Sequence, residues 1–240
     1  MRMGWFRPVH VKTLQAQEIR ALLTARKLLV AKLHDVESSI RGILRGFGLR
    51  VGVISKGKFE ARIRELVAGQ AMLERVAKPL LRARAALGAE YRTLHRQLLA
   101  TVREDEVCRR LMTVPGVGAV VAVTFRSAID QPARFTKSKA VGAHFGLTPK
   151  KYQSGEIDRT GRISKVGDAM VRTALFEAAN AMLSRTVRFS ALKAWALRVA
   201  GRHGMKKAKV ALARKLAVAM HRMWVDGTNF RWGEARVSAA

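Results

Sequence analysis

The chain has 240 residues, 49% of them hydrophobic, and carries 46 Lys+Arg against 17 Asp+Glu, a formal charge of +29. That length and apolar content suffice for one large domain or two small ones. The cationic surplus, spread along most of the chain and not gathered on one amphipathic helix, favours nucleic acid as partner over an anionic membrane surface. The single cysteine, Cys108, excludes an intrachain disulfide; no histidine spacing suggests a metal, and no stretch reads as a signal peptide or membrane span, so the expected setting is soluble and cytoplasmic in a bacterium.

Residues 1–12, which include "MRMGWFRPVHV", read as a short extended segment with Pro8 as punctuation. Thr13 is a plausible N-cap for a long helix. Its apolar positions are Leu22, Leu29, Leu33, Val36, Ile40, Ile43 and Phe47, and from Leu29 they step by four, three, four, three and four, the spacing of a heptad seam. Gly46, Gly48 and Gly52 end it. A second seam runs through Phe59, Ile63, Leu66, Leu73 and Leu80, with Pro79 expected to kink or break the element. A third continues through Leu87, Tyr91, Leu94 and Leu98. Two readings of this arm over residues 13–104 stand together: an antiparallel helix pair folded on itself, and a coiled coil that dimerises the chain.

Near residue 105 the composition turns towards glycine, proline and small residues, which marks a second domain over 105–230 and a frayed tail over 231–240. The expected class is mainly α: a helical coiled-coil arm followed by a small helical domain. In the latter, "LMTVPGVGAVVAV" has the pattern of a helix-hairpin-helix, whose Gly116 and Gly118 permit a tight turn and a close approach of backbone N–H groups to phosphate. The alternative is a plain helix–helix turn, with Val117 anchoring it in the core either way. "GDAMVRTALFEAANAMLSRT" reads as a helix capped by Asp168, and "MKKAKVALARKLAVAMHRMWV" as the last helix. Lys206, Lys207 and Lys209, at its N-terminal end, oppose the helix dipole unless a phosphate lies nearby. They are either backbone contacts or a solvated face.

The stretch "KYQSGEIDRTGRISKVGD" holds the most chemistry. Ser154 lacks the elbow and the histidine of a triad hydrolase. By itself, Gln153-Ser154-Gly155 is an ordinary turn. The third reading is phosphoryl transfer, in which a serine attacks a phosphodiester while cations neutralise the phosphoryl oxygens. Lys150, Lys151, Arg159, Arg162, Lys165 and Arg172 supply the cations, and Gly155 permits close approach.

The ordered run "LMTVPGVG…ARFTKSKAVGAHFGLTPKKYQSGEIDRTGRISKVGDAMVRTALFEAA" resembles the C-terminal domain of insertion-sequence one-ten family transposases, over roughly residues 105–225. That resemblance implies a bridge-RNA-guided recombinase acting on DNA through a covalent phosphoserine. The nucleophile it implies is Ser154, the serine before glycine in the loop after "GLTP"; Ser164 is the next candidate, read as a helix-entry or backbone-contact residue. It also implies an N-terminal domain whose Asp-Glu-Asp-Asp set binds Mg2+. Nothing in residues 1–60 can stand in for that set, since Asp35, Glu37 and Glu60 lie on or beside the heptad helices as solvated surface. Residues 1–12 look like the end of that domain. The expectation is therefore a family member truncated at its start, with no metal or cofactor in this chain, DNA and a guide RNA as partners, and homo-oligomerisation through the arm. The competing expectation is a non-catalytic nucleic-acid-binding protein derived from a transposase. Trp195, Trp224 and Trp232 are read as core, His144 and His203 as packing or surface, and Cys108 as a buried thiol.

Overall fold

The computed structural model describes residues 9–233 and is mainly helical. The segments 1–8 and 234–240, and with them Pro8 and most of the expected tail, lie outside the described residues. Its elements are α1 (Leu14–Gly46), α2 (Phe59–Val67), α3 (Ala71–Glu104), α4 (Glu106–Leu111), α5 (Ala119–Ile129) and α6 (Lys139–His144). Strands β1 (Pro149–Ser154) and β2 (Ile157–Ile163), then α7 (Ala169–Ser184), α8 (Ala191–His203) and α9 (Met205–Asp226), complete the order. The chain divides into two compact units, residues 21–98 on the one hand and the segment up to Arg20 with everything from Leu99 on the other. Among the described residues no helix is long and apolar enough to cross a membrane.

Residues 21–98 form an antiparallel helix pair. Arg26 of α1 donates to the Tyr91 hydroxyl of α3 at 3.0 Å, and Arg84 of α3 pairs with Glu37 of α1 at 2.8 Å, so positions rise on one helix as they fall on the other. A core of Ile40, Leu44, Phe59, Ile63, Leu73 and Leu81 closes the far end, with α2 folded across it. The seam departs from the heptad after Ile40: Ile43 is 38% and Phe47 62% exposed, whereas Leu44 is 2% exposed. A straight helix drifts relative to a strict seven-residue repeat, so a second step of four keeps the buried stripe facing inward. Gly48, at φ 75°, ends α1, where Leu49 N reaches back to Leu44 O at 3.0 Å.

Pro79 does not break its helix; it lies inside α3, which runs on to Glu104. The interruption falls instead at Ala68–Gln70, where Gly69 takes φ 79° and its N–H is received by Glu74 Oε1 at 3.0 Å. The lost backbone bond at proline costs roughly 3 kcal/mol, and burial of Leu73, Ala77 and Leu81 on the same turns opposes it.

In the other unit α9 is the central helix, packed against α4, α6, α7 and α8. Its inward face carries Ala208, Leu212, Ala213, Leu216, Ala217 and Met220, all fully buried, and the alanines let neighbouring backbones come close. The caps are those the residues suggest. Thr13 Oγ1 accepts from Ala16 N at 3.3 Å at the start of α1, Asp105 Oδ1 from Cys108 N at 2.9 Å, and Asp168 Oδ1 from Met170 N at 2.8 Å. Cys108 is fully buried, and loss of water pushes its thiol up to about 12.

One buried polar group locks the entering segment. Asp130, 5% exposed, accepts from Thr13 N at 2.9 Å and Thr13 Oγ1 at 2.6 Å and sits 2.7 Å from His10 Nε2. Burial alone would raise its carboxyl; the hydrogen bonds from Thr13 and His10 outweigh that and hold it at about 2. Its backbone is strained (φ 63°, ψ −68°), in a three-residue turn closed by Gln131 N to Ile129 O at 2.8 Å.

Candidate nucleic-acid interface

The serine stretch is not a plain loop. β1 and β2 pair antiparallel, with Ser154 opposite Ile157, Gln153 opposite Asp158, Tyr152 opposite Arg159 and Lys151 opposite Thr160. Gly155-Glu156 is the two-residue turn, and a positive φ at its first residue only (55° at Gly155) is the primed geometry that matches strand twist. Residues 149–162 are all exposed, so the hairpin stands in solvent.

Pleating sorts the side chains. Cross-strand partners share a face, and so do residues two apart. One face therefore carries Ser154, Ile157, Tyr152 and Arg159, and the other Gln153, Asp158, Lys151 and Thr160. Tyr152 lies over Gly161, where an added Cβ would come within 2.9 Å of its ring. Lys151, on the far face, lies 3.9 Å from Asp158, an exposed and weak pair. Lys150 sits in the bulge between Pro149 and Lys151. Among the described residues the Ser154 hydroxyl has no hydrogen-bond partner, and no histidine or carboxylate holds it.

The foot of the hairpin is closely packed where its tip is open. Gly146 (φ 65°) and Gly167 (φ 81°) cross so closely that a Cβ on either would overlap backbone of the other segment, Val166 O in one case and His144 O in the other. Ser164 N donates to Thr148 O at 2.9 Å and Lys165 N to Gly146 O at 3.1 Å. Arg172 fastens the crossing: its Nη1 donates to the carbonyls of Phe145, Val166 and Gly167 at 3.2, 3.0 and 2.9 Å. The sequence placed Arg172 among phosphate ligands; here that guanidinium nitrogen is spent on three backbone oxygens. Asp168, which caps α7, also pairs with Arg20 at 2.6 Å.

Beside the foot lies a cleft of about 1310 Å³, bounded by β2, α6, α8 and α9. Four of the cations singled out in the sequence meet there: Arg162 and Lys165 from the foot, Lys206 and Lys207 from the start of α9. Sequence reasoning missed four more cations in its wall, Lys139, Arg214, Lys215 and Arg222. No aspartate or glutamate is among the described residues lining it. The signal for two of the missed ones was present, since Arg214 and Lys215 follow Lys207 by seven and eight, two turns along the same helix. Lys139 is set by another residue not foreseen: buried His221 of α9 is 3.0 Å from Ser138 Oγ and 3.1 Å from Pro132 O. A carbonyl only accepts, so Nε2 carries a proton and donates to Pro132 O.

The remaining sites fall elsewhere. Gly116 (φ 84°) turns its missing Cβ into α7, where one would overlap Ala178 O and come within 2.9 Å of Met182 N. Gly118 is the exposed N-cap of α5. Neither borders the cleft, and nor does Lys209. Trp195, Trp224 and Trp232 are only half-buried, each under a cation: Lys215 at 4.1 Å from the Trp195 ring centre, Arg126 at 4.7 Å from Trp224 and Arg188 at 4.2 Å from Trp232. His144 packs edge-on to Phe135 and Phe145, and desolvation with Arg134 and Lys12 nearby lowers its pKa. Among the described residues no group of three or more His, Cys, Asp or Glu could hold a metal ion.

Comparison with known proteins finds a family match over the segment that includes the hairpin and its foot, though not over α9. Residues 108–194 match the family model described as Transposase IS116/IS110/IS902 family. The chain is 31% identical over 243 residues to a putative transposase, y4pF/y4sB, of Sinorhizobium fredii, an alignment covering 97% of this chain and 61% of that protein. It is 30% identical over 235 residues to the transposase for insertion sequence element IS1111A of Coxiella burnetii, covering 94% and 63% respectively. A probable family 20 transposase of Pseudomonas aeruginosa is 27% identical over 233 residues, covering 95% and 69%. The chain thus spans about three fifths of the length of the first two relatives.

Proposed function

We propose that this chain, whose residues 108–194 match the IS116/IS110/IS902 transposase family, is the nucleic-acid-binding and strand-transferring part of an insertion-sequence transposase, with Ser154 as nucleophile. The observation that carries the reading is the hairpin register, which gives Ser154 the same face as Tyr152 and Arg159. In the proposed step Ser154 Oγ attacks the phosphorus of a DNA phosphodiester and its proton passes to water. The bond to the leaving strand oxygen breaks, that oxygen takes a proton, and a phosphoserine ester remains. A strand hydroxyl attacking that ester regenerates the serine and rejoins DNA. Arg159 supplies bidentate donors for charge on the phosphoryl oxygens. Gly155 lets the backbone approach, and the cleft cations hold flanking phosphates. Duplex DNA and a guide RNA are the proposed partners; no step is assigned to Mg2+, because the described residues offer no ligand set for it.

The test is trapping on a suicide DNA substrate with the 240-residue chain and, in parallel, with a chain extended to the length of its relatives. The expected outcome is a covalent adduct mapped to Ser154 and absent from Ser154→Ala. An adduct that survives Ser154→Ala sinks the assignment. A second reading, a non-catalytic nucleic-acid-binding protein, draws on the exposure of Ser154 and its lack of a hydrogen-bonded base. It predicts salt-sensitive binding that Ser154→Ala leaves unchanged, and no adduct with either chain.

A further inference from the structure

We infer that the cleft beside the hairpin foot is a groove for single-stranded nucleic acid, with one unstacked base lying on Trp195. This rests on the reading above that its cations meet phosphates. The cleft has two kinds of wall. Its lining has cationic side chains and, among the described residues, no carboxylate, while its apolar part comes from Leu147, Pro149, Leu192, Trp195, Val210 and Val218. A duplex presents phosphates and sugars on its outside and keeps base faces stacked within, so it would bring nothing to an apolar lining. A single strand brings both: a phosphate chain for the cations and base faces for the apolar lining.

Trp195 is the natural platform. Among the described residues it is the one tryptophan lining the cleft; it is half-buried, and the cation over its ring is a solvent-exposed lysine, Lys215, at 4.1 Å. That ammonium can leave the ring for a phosphate as a base takes its place, so one favourable interaction replaces another. Lys206 and Lys207 at the head of α9, where exposed N–H groups also favour an anion, continue the phosphate track.

The experiment uses the whole chain and two probes of equal length, a thymidine single strand and a duplex, with 5-iodouracil placed along the single strand for photo-cross-linking. The expected result is a cross-link to the Trp195 peptide in the unmutated protein. In anisotropy titrations, Trp195→Ala should weaken single-strand binding about 5- to 150-fold, the range for loss of one stacked base, with duplex binding little changed and Trp195→Phe restoring most of it. Lys206→Gln with Lys207→Gln should flatten the single-strand salt dependence by roughly 0.7 for each phosphate that is no longer neutralised. Cross-links confined to other aromatic residues overturn the inference, as does a Trp195→Ala that keeps the unmutated unfolding midpoint yet lowers single-strand and duplex binding alike or changes neither. The last outcome would leave the apolar lining to a protein segment or a second copy. Because the cross-link is read on the unmutated chain, a poorly folding variant does not blur the answer. The Ser154 adduct on duplex DNA is scored separately, so its failure is distinguishable from failure of the groove.

Discussion

Two glycine turns in this molecule look alike in sequence and are opposite in structure. Gly116, between α4 and α5, is pressed against the backbone of α7, and Val114 and Val117 beside it are buried. Gly155, at the hairpin tip, would meet nothing within 4 Å if it carried a Cβ. Both have positive φ, and both are candidate phosphate contacts by sequence. The first needs glycine because α7 leaves no room for a side chain; the second needs it only to turn the chain. A glycine that packing demands reports on the fold, while one facing solvent is available to a partner.

That contrast can be broken by measurement. The largest effect is expected at Gly116→Ala, where overlap with α7 adds to an unfavourable φ and should cost about 3 kcal/mol of stability by thermal or urea unfolding. Little change in midpoint would refute the packing role. Asp130→Ala should cost nearly as much, since it strands the Thr13 donors. The unmutated protein should show the same residue through pH. A carboxyl held at about 2 and near 4 when unfolded contributes about 2 kcal/mol that is full above pH 5 and drains as pH falls through 2. Asp130→Asn should flatten that acid limb of the stability curve.

Arg172→Ala should cost about 2 kcal/mol and speed hydrogen exchange at Ser164 and Lys165, whose amides close the hairpin foot, while leaving the α9 amides protected. If exchange there is unchanged, the foot is not held by this guanidinium. The smallest effect belongs to Gly155→Ala, within about 1 kcal/mol. Any fall in adduct yield for that variant, with stability intact, would mark close approach of substrate at the tip.

What could be read from the sequence follows the range of the interactions. The Thr13 and Asp168 caps, the glycine stop after α1 and the extent of α9 are set within one or two turns, and each appears in the residues themselves. The hairpin is hidden because residues 149–162 bury no face, so the apolar alternation that betrays a strand is absent. Only Tyr152, Ile157 and Thr160 around a Gly-X turn hint at it. Asp130 is invisible in the sequence because its partners lie 117 and 120 residues away. Lys206 and Arg162 both read as phosphate contacts, but nothing local could say that they border the same space. Pro79 misleads for the converse reason, since a strong local rule yields to tertiary burial.

The sole thiol of the chain is fully buried and its pKa is pushed up to about 12, so at neutral pH almost none of it is thiolate and reagents have no path to it. The protein is therefore already blank towards maleimide chemistry. A cysteine installed at Glu156, on the exposed hairpin tip, would take a fluorophore or spin label by itself, without first stripping the natural one, and would turn the tip into its own reporter of whatever approaches it.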